Sequence, residues 1–160
     1  MGRLGEYVMV YILGLLMGVV GGLRAMTAAA AVSWAAYLGV IGTAGTWLSF
    51  LGSFWTVLIL TVLAIGEFIT DQLPSTPSRK VPPQFGARVL IGAIAGMAIA
   101  GPGKEIVGAL AGIVGAVIGT LGGAEVRGRL AASFGKDQPA AFIEDAVAII
   151  GAALIVLALK

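Results

Sequence analysis

Residues 105–123, EIVGALAGIVGAVIGTLGG, decide the class of fold to which this chain belongs. The stretch has a single charged residue at its start, and its length is close to the roughly 20 apolar residues that a transmembrane helix needs. Its glycines recur at four-residue spacing, at Gly108 and Gly112 and again at Gly115, Gly119 and Gly123. Four residues are about one helical turn, so these glycines form smooth stripes that let another helix approach closely in lipid. The stretch predicts a tightly packed membrane helix of the glycine-zipper type.

The composition of the whole chain agrees with this interpretation. Of its 160 residues, 59% are hydrophobic and 11% are charged, and the mean hydropathy is +1.03. Soluble domains carry about 25% charged residues, and a soluble domain of this size could not bury so much apolar surface. We therefore predict a single all-α integral membrane domain over residues 1–160.

The absence of cysteine and histidine limits the chemistry that the chain can perform. It excludes disulfides and thiol catalysis and removes the commonest general base. A bound metal would be a hard cation such as Mg²⁺ on oxygen ligands. The net charge of +2 and the lack of a basic run with aromatic residues indicate no nucleic-acid partner.

Six apolar stretches are candidate spans. They are residues 7–22, 25–42, 48–70, 87–101, 105–123 and 139–159. Residues 25–42 are rich in alanine, follow a Gly-Gly pair and contain Ser33, so they could cross the bilayer or form a re-entrant or interfacial helix. The sequence thus predicts five or six transmembrane or re-entrant helices.

Residues 14–22 and 115–123 form a weak internal repeat, since both begin and end with glycine and share the four-residue spacing. The match consists of glycines alone and could be a coincidence. It could also mark two related halves around a pseudo-symmetry axis, as in many transporters.

Basic residues indicate the orientation of the chain. Segments 71–88 and 124–138 together contain six of the ten lysines and arginines. They lie on one side of the membrane whether five or six helices cross it, and the excess of positive charge predicts that this side is cytoplasmic.

The first candidate site contains Glu67 and Asp71, which are four residues apart and therefore share a helix face. Two such carboxylates repel each other unless a cation, a proton or an arginine lies between them. We expect a site for a proton or a hard cation such as Mg²⁺ on Glu67 and Asp71. The alternative is that Glu67 pairs with a basic residue while Asp71 lies among the lipid headgroups.

The proline-rich segment 73–83 follows this pair. Thr76, Ser78 and Arg79 offer hydroxyl groups and charge, so they could contact a phosphate or a lipid headgroup. The alternative is a structural role in which Arg79 turns back onto Asp71 or Glu67.

Two further charged sites complete the set. Glu144 and Asp145 lie on a helix face that continues through small residues, which indicates that they point into the protein. Arg24 follows a Gly-Gly pair that can interrupt a helix, and it could bridge to the carboxylates at 67, 71, 144 or 145. The alternative is that its side chain extends to the lipid headgroups. Charged groups within a membrane domain are the first places to look for function.

Three motifs of the chain resemble a bacterial family of small integral membrane proteins of unknown function. They are Gly-Leu-Arg-Ala-Met-Thr at 22–27, Glu-x-x-x-Asp-x-Leu-Pro-Ser-Thr-Pro-Ser-Arg at 67–79, and Glu-Asp at 144–145. The resemblance covers nearly the whole chain. Members of that family often have lysine where this chain has Gln72, which argues against a Lys–Asp pair here. The resemblance implies a multi-pass protein of the bacterial inner membrane and implies no activity.

The leading functional hypothesis is a small transporter or channel for a cation, a proton or a small polar solute, acting as a homo-oligomer such as a dimer. It would use Arg24, Glu67, Asp71, Arg79, Glu144 and Asp145 as one network on the cytoplasmic side. A membrane enzyme or binder acting on a phosphorylated lipid is the second hypothesis, with Mg²⁺ as a possible cofactor. The third is a non-catalytic subunit of a larger membrane complex. An enzyme is less expected than a transport or binding protein.

Overall fold

The structure is a computed structural model, and it describes residues 2–72 and 79–160. Within these residues the chain forms six α-helices and one short 3₁₀-helix, and no strand. The α-helices are α1 (Arg3–Leu23), α2 (Ala25–Tyr37), α3 (Phe54–Thr70), α4 (Pro82–Ala100), α5 (Glu105–Phe134) and α6 (Asp137–Ala158), and the 3₁₀-helix (Trp47–Gly52) precedes α3. The all-α prediction is confirmed for the described residues.

Four of these helices, α1, α4, α5 and α6, are long and apolar enough to cross a membrane. Helix α3 is apolar but has 17 residues, and α2 has 13. At 1.5 Å per residue they measure about 26 and 20 Å, against a hydrocarbon core of about 30 Å. By length and composition the described residues therefore contain four candidate spans instead of the predicted five or six.

Local turns explain why the two shorter helices differ from the prediction. The predicted stretch 25–42 is helical only to Tyr37. Gly39 follows with a φ of 71°, which lies in the left-handed region that glycine readily adopts and that a right-handed helix does not contain. The predicted stretch 48–70 is divided at Ser53, whose side chain accepts a hydrogen bond from the backbone N–H of Thr56 and so begins α3.

The helices bring distant parts of the sequence to one end of the bundle. Arg88, near the start of α4, donates hydrogen bonds to the carbonyl oxygens of Gly22 (3.1 Å) and Leu23 (2.7 Å) at the end of α1. At the opposite end, Nζ of Lys104 lies 4.7 Å from the centre of the Tyr7 ring. The end of α1 and the start of α4 therefore lie together. The end of α3 and the start of α6 join them there, because Arg24 between α1 and α2 pairs with Asp71 and Asp145.

Helices α1, α4 and α5 pack against one another through glycines. A Cβ atom on Gly112 of α5 would lie 2.8 Å from the carbonyl carbon of Gly92 in α4. A Cβ atom on Gly18 of α1 would lie 2.9 Å from the carbonyl carbon of Gly112. Both distances are too short for a real side chain, so the three backbones touch where only glycine fits. Such contact favours helix association where lipid removes the hydrophobic driving force.

The two helices of the weak repeat are neighbours. Gly115 of α5 faces Leu15 of α1, and Gly119 faces Val19, so α1 and α5 run parallel. A common origin of the two segments stays a prediction.

Helix α5 is longer than predicted. It has 30 residues and continues to Phe134, where Gly135 with a φ of 67° ends it. The predicted loop 124–138 is therefore mostly helical, and α4 begins at Pro82, inside the predicted loop 71–88. The cytoplasmic orientation of both segments stays a prediction.

Candidate functional site

A cluster of arginines and carboxylates lies at the end of the bundle where α1 meets α2. We call it the charged cluster, and its members are Arg24, Asp71, Arg79, Arg127, Glu144 and Asp145. Five of these were predicted as site residues from the sequence. The structure brings all five together, from the α1–α2 junction, the end of α3, the segment before α4 and the start of α6.

Arg24 occupies the centre of the charged cluster. It is the one residue between α1 and α2, its backbone is extended (φ −141°, ψ 100°), and its side chain is fully buried. Its Nε donates a hydrogen bond to Oδ1 of Asp145 at 2.5 Å, and Nη1 forms an ion pair with Asp71. Its Nη2 lies 3.8 Å from Oε2 of Glu144. The interruption between the two helices thus places one cation among three carboxylates.

Arg79 and Glu144 form the second ion pair of the cluster. The guanidinium donates from both Nη atoms to the two carboxylate oxygens, with Nη2 at 2.7 Å from Oε2. Both side chains are buried. The sequence-based alternative that Arg79 turns back onto Asp71 or Glu67 is wrong, because α6 brings Glu144 closer.

Arg127 is a member of the cluster that the sequence reasoning missed. It forms ion pairs with Asp71 and with Glu144 (3.3 Å), and it binds Asp137 at 2.6 and 3.0 Å. The sequence reasoning treated it as a loop charge, whereas it lies on α5. It is four residues after Gly123, so it continues the stripe of Gly115, Gly119 and Gly123 toward the neighbouring helices. That spacing is the signal that could have identified it.

Glu67 lies beside the cluster and interacts with the start of α2. Its carboxylate accepts hydrogen bonds from the backbone N–H groups of Ala25 (3.1 Å) and Met26 (2.9 Å). These are among the N–H groups that a helix leaves without an internal partner, and a negative charge there is favoured by the helix dipole. Glu67 therefore caps α2 from another helix.

Arg88 is the second residue that the sequence reasoning missed. Its Nη2 lies 3.5 Å from Oε1 of Glu67, in addition to its bonds to α1. It is four residues before Gly92 and eight before Gly96, so it lies on the face of α4 that these two glycines form. The predicted pairing of Glu67 with a basic residue holds, and Arg88 is the partner.

Asp71 is held in its ionised form. Burial alone would raise the pKa of this carboxyl group, but the hydrogen bond from Arg127 and the positive charges of Arg24 and Arg127 outweigh burial and lower the pKa below its ordinary value. Asp71 and Glu67 do not share one ligand, since each is bound by its own set of N–H donors.

The remaining predicted site residues have different outcomes. Thr76 and Ser78 lie outside the described residues. In the part of the chain that the structure describes, no three acidic side chains are grouped as metal ligands. A Mg²⁺ site on Glu67 and Asp71 stays a prediction. Gln72 donates a hydrogen bond to Oδ2 of Asp145 at 3.4 Å.

A cavity of about 410 Å³ adjoins the cluster, and we call it the polar cavity. It lies between the start of α2, the end of α3 and the start of α4. Its wall includes Glu67, Thr70, Asp71, Gln84 and Arg88, together with apolar residues of the same helices. The arrangement offers a small molecule both acidic and basic groups in one partly open space.

Comparison of the chain with protein-family models, with curated proteins and with solved structures found no match.

Proposed function

We propose that the protein is a small membrane transporter or channel for a proton, a cation or another small polar solute. The observation that carries the proposal is the polar cavity, whose wall holds Glu67, Asp71 and Arg88. Ionisable groups in a membrane domain are costly and commonly belong to ion or solute pathways. A partly open space whose wall carries both signs of charge can bind a small polar ligand.

The α1–α2 junction supports this proposal. Transporters often bind their ligands where a helix is interrupted, because the free N–H groups at a helix start attract anions. Here the start of α2 is occupied by Glu67, a carboxylate that itself lines the polar cavity. A ligand in the cavity therefore reaches the group that joins α2 to α3.

This contact suggests how binding could change the structure. A proton or a cation that neutralises Glu67 removes the charge attraction to the start of α2 and to Arg88. A charge at a helix terminus contributes about 0.3–1 kcal/mol, and up to about 2 kcal/mol when partly buried. A change of about 1.4 kcal/mol alters a two-state ratio tenfold. Neutralisation of Glu67 would thus weaken the attachment of α2 to α3.

The proposal is tested with the purified protein in separate sets of liposomes that contain a dye sensitive to pH, to Na⁺ or to K⁺. We expect proton, Na⁺ or K⁺ flux above that of empty liposomes, and a loss of most of this flux in Glu67→Gln. The matched control is Glu125→Gln, which removes an exposed carboxylate from α5 and should leave the flux unchanged. Wild-type flux equal to that of empty liposomes for all three ions would contradict the proposal for these ions.

The geometry favours transport over the hydrolysis or transfer of a lipid phosphate. Arg24, Arg79 and Arg127 are each bound by carboxylates of the chain itself, so these guanidinium groups are already neutralised. The lipid hypothesis with Mg²⁺, the accessory-subunit hypothesis and the homo-oligomer stay predictions.

A further inference from the structure

An apolar cleft runs along the outside of the bundle between α5 and α6. It has a volume of about 310 Å³ and is closed at the back by α1. Its wall includes Val19, Gly119, Gly122, Val126, Ile143 and Val147. Along α5 it extends from Ile118 to Leu130, which corresponds to about 18 Å at 1.5 Å per residue. The cleft is thus long, and its exposed wall is apolar.

The absence of a side chain at Gly122 contributes to this cleft. A Cβ atom on Gly122 would meet no atom within 4 Å, so the space in front of this residue is open. Helices α5 and α6 are both long and apolar enough to cross a membrane. The cleft between them would therefore face the hydrocarbon chains of a bilayer, and its shape fits one extended chain.

Positive charge lies at one end of the cleft. Ala140 lines the cleft in the first turn of α6, and the exposed Lys136 immediately precedes that helix. Arg127, which also lines the cleft, is already bound by Asp71, Asp137 and Glu144. Lys136 is exposed and lies four residues before Ala140, so it is a cation at this end that an external anion can reach.

We propose that the cleft binds one acyl chain of an anionic phospholipid whose phosphate contacts Lys136. The chain would lie over Gly122 and against Leu23, which also lines the cleft. A Cβ atom on Gly123 would strike the side chain of Leu23 and would be 3.2 Å from Oε1 of Glu144 and 3.3 Å from Nη1 of Arg79, so Leu23 and Gly123 separate this buried ion pair from the cleft. The acyl chain would add a second apolar layer over the pair. Covering the pair excludes water and strengthens the attraction between its charges. The bound lipid therefore stabilises the charged cluster.

The test measures the thermal stability of the purified full chain in a neutral detergent. Phosphatidylglycerol is added, and phosphatidylcholine with the same acyl chains serves as the comparison lipid. For the wild type we expect phosphatidylglycerol to raise the unfolding temperature several degrees more than phosphatidylcholine does. Gly122→Leu fills the cleft and should lose this shift. Gly128→Leu is the matched control, because Gly128 lies on the same helix with open space in front of it but outside the cleft.

A second pair of variants tests the same proposal in case Gly122→Leu does not fold. Ile143→Trp fills the cleft from α6, and Ile150→Trp makes the same change at an exposed position of α6 away from it. The first should lose the shift and the second should keep it. Lys136→Gln should reduce the shift with phosphatidylglycerol to that seen with phosphatidylcholine.

Three results would overturn the proposal. The first is an equal shift with the two lipids for the wild type, and the second is an undiminished shift in both cleft-filling variants. The third is a change from dimer to monomer in both of these variants, which would show that a second copy of the chain fills the cleft. The assay does not depend on transport, so flux and lipid binding can fail separately.

Discussion

Replacing Arg24 with glutamine is the most direct way to test whether the charged cluster stabilises the bundle. Glutamine keeps hydrogen-bonding groups but removes the positive charge from among Asp71, Glu144 and Asp145. Asp71 retains Arg127, and Glu144 retains Arg79 and Arg127. The loss is therefore concentrated at Asp145.

The structure sets the magnitude of this loss. Without Arg24, the described contacts of the Asp145 carboxylate reduce to the neutral amide of Gln72 at 3.4 Å, and the Asp145 residue is only 8% exposed. Removal of one partner from a buried ion pair costs about 3–5 kcal/mol, because the other charge is left buried without compensation. We expect Arg24→Gln to lower the free energy of unfolding by this amount. The double variant Arg24→Gln with Asp145→Asn also removes the buried negative charge. Its loss of unfolding free energy should be about 1–3 kcal/mol smaller than the sum of the losses in the two single variants.

The assay is reversible unfolding of the protein in detergent micelles with a denaturant, followed by helical circular dichroism. Arg129→Gln is the control, because Arg129 and its partner Glu125 are 78% and 60% exposed and such pairs contribute at most about 0.5 kcal/mol. The reasoning is refuted if Arg24→Gln is no less stable than Arg129→Gln. It is also refuted if the double variant loses the full sum of the two single losses.

Three further predictions concern packing, pH and capping. Gly112→Ala should lower the free energy of unfolding by about 1–3 kcal/mol, because its Cβ would strike α4, whereas Gly128→Ala should not lower it; unchanged unfolding of Gly112→Ala would contradict the close approach. The pKa of Asp71 is lower in the folded protein than the unfolded value of about 3.9, so its contribution to stability is present above that pH and is lost as the pH falls below it. The unfolding temperature should therefore fall less steeply below about pH 4 in Asp71→Asn than in the wild type, and equal slopes would refute this. Glu67→Gln should cost about 1 kcal/mol in denaturant unfolding through the weaker cap on α2, and a loss no larger than in Glu125→Gln would count against capping.

The sequence identified most of the charged cluster because charges in an apolar chain are costly. Arg24, Asp71, Glu144 and Asp145 were expected to lie together, and they do. The partner of Arg79 was not predictable, since Asp71 and Glu67 are close to it in sequence while Glu144 is brought to it by the packing of α6.

Arg88 and Arg127 show where more could have been read from the sequence. Both continue a glycine stripe at four-residue spacing, and both therefore point toward the helices that the stripes contact. Both arginines were interpreted as topological charges, since they lie in segments 71–88 and 124–138, whereas the structure places Arg88 inside α4 and Arg127 inside α5.

The sequence by itself determined that this protein is helical, strongly apolar and packed through glycines, because hydropathy and four-residue spacing act within a single helix. Only the tertiary structure decided which carboxylate each arginine binds and where α2 and α3 end. The physical reason is that an ion pair depends on the offset and the angle between two helices. These are set by close contacts such as that between Gly92 and Gly112, which involve residues far apart in the chain.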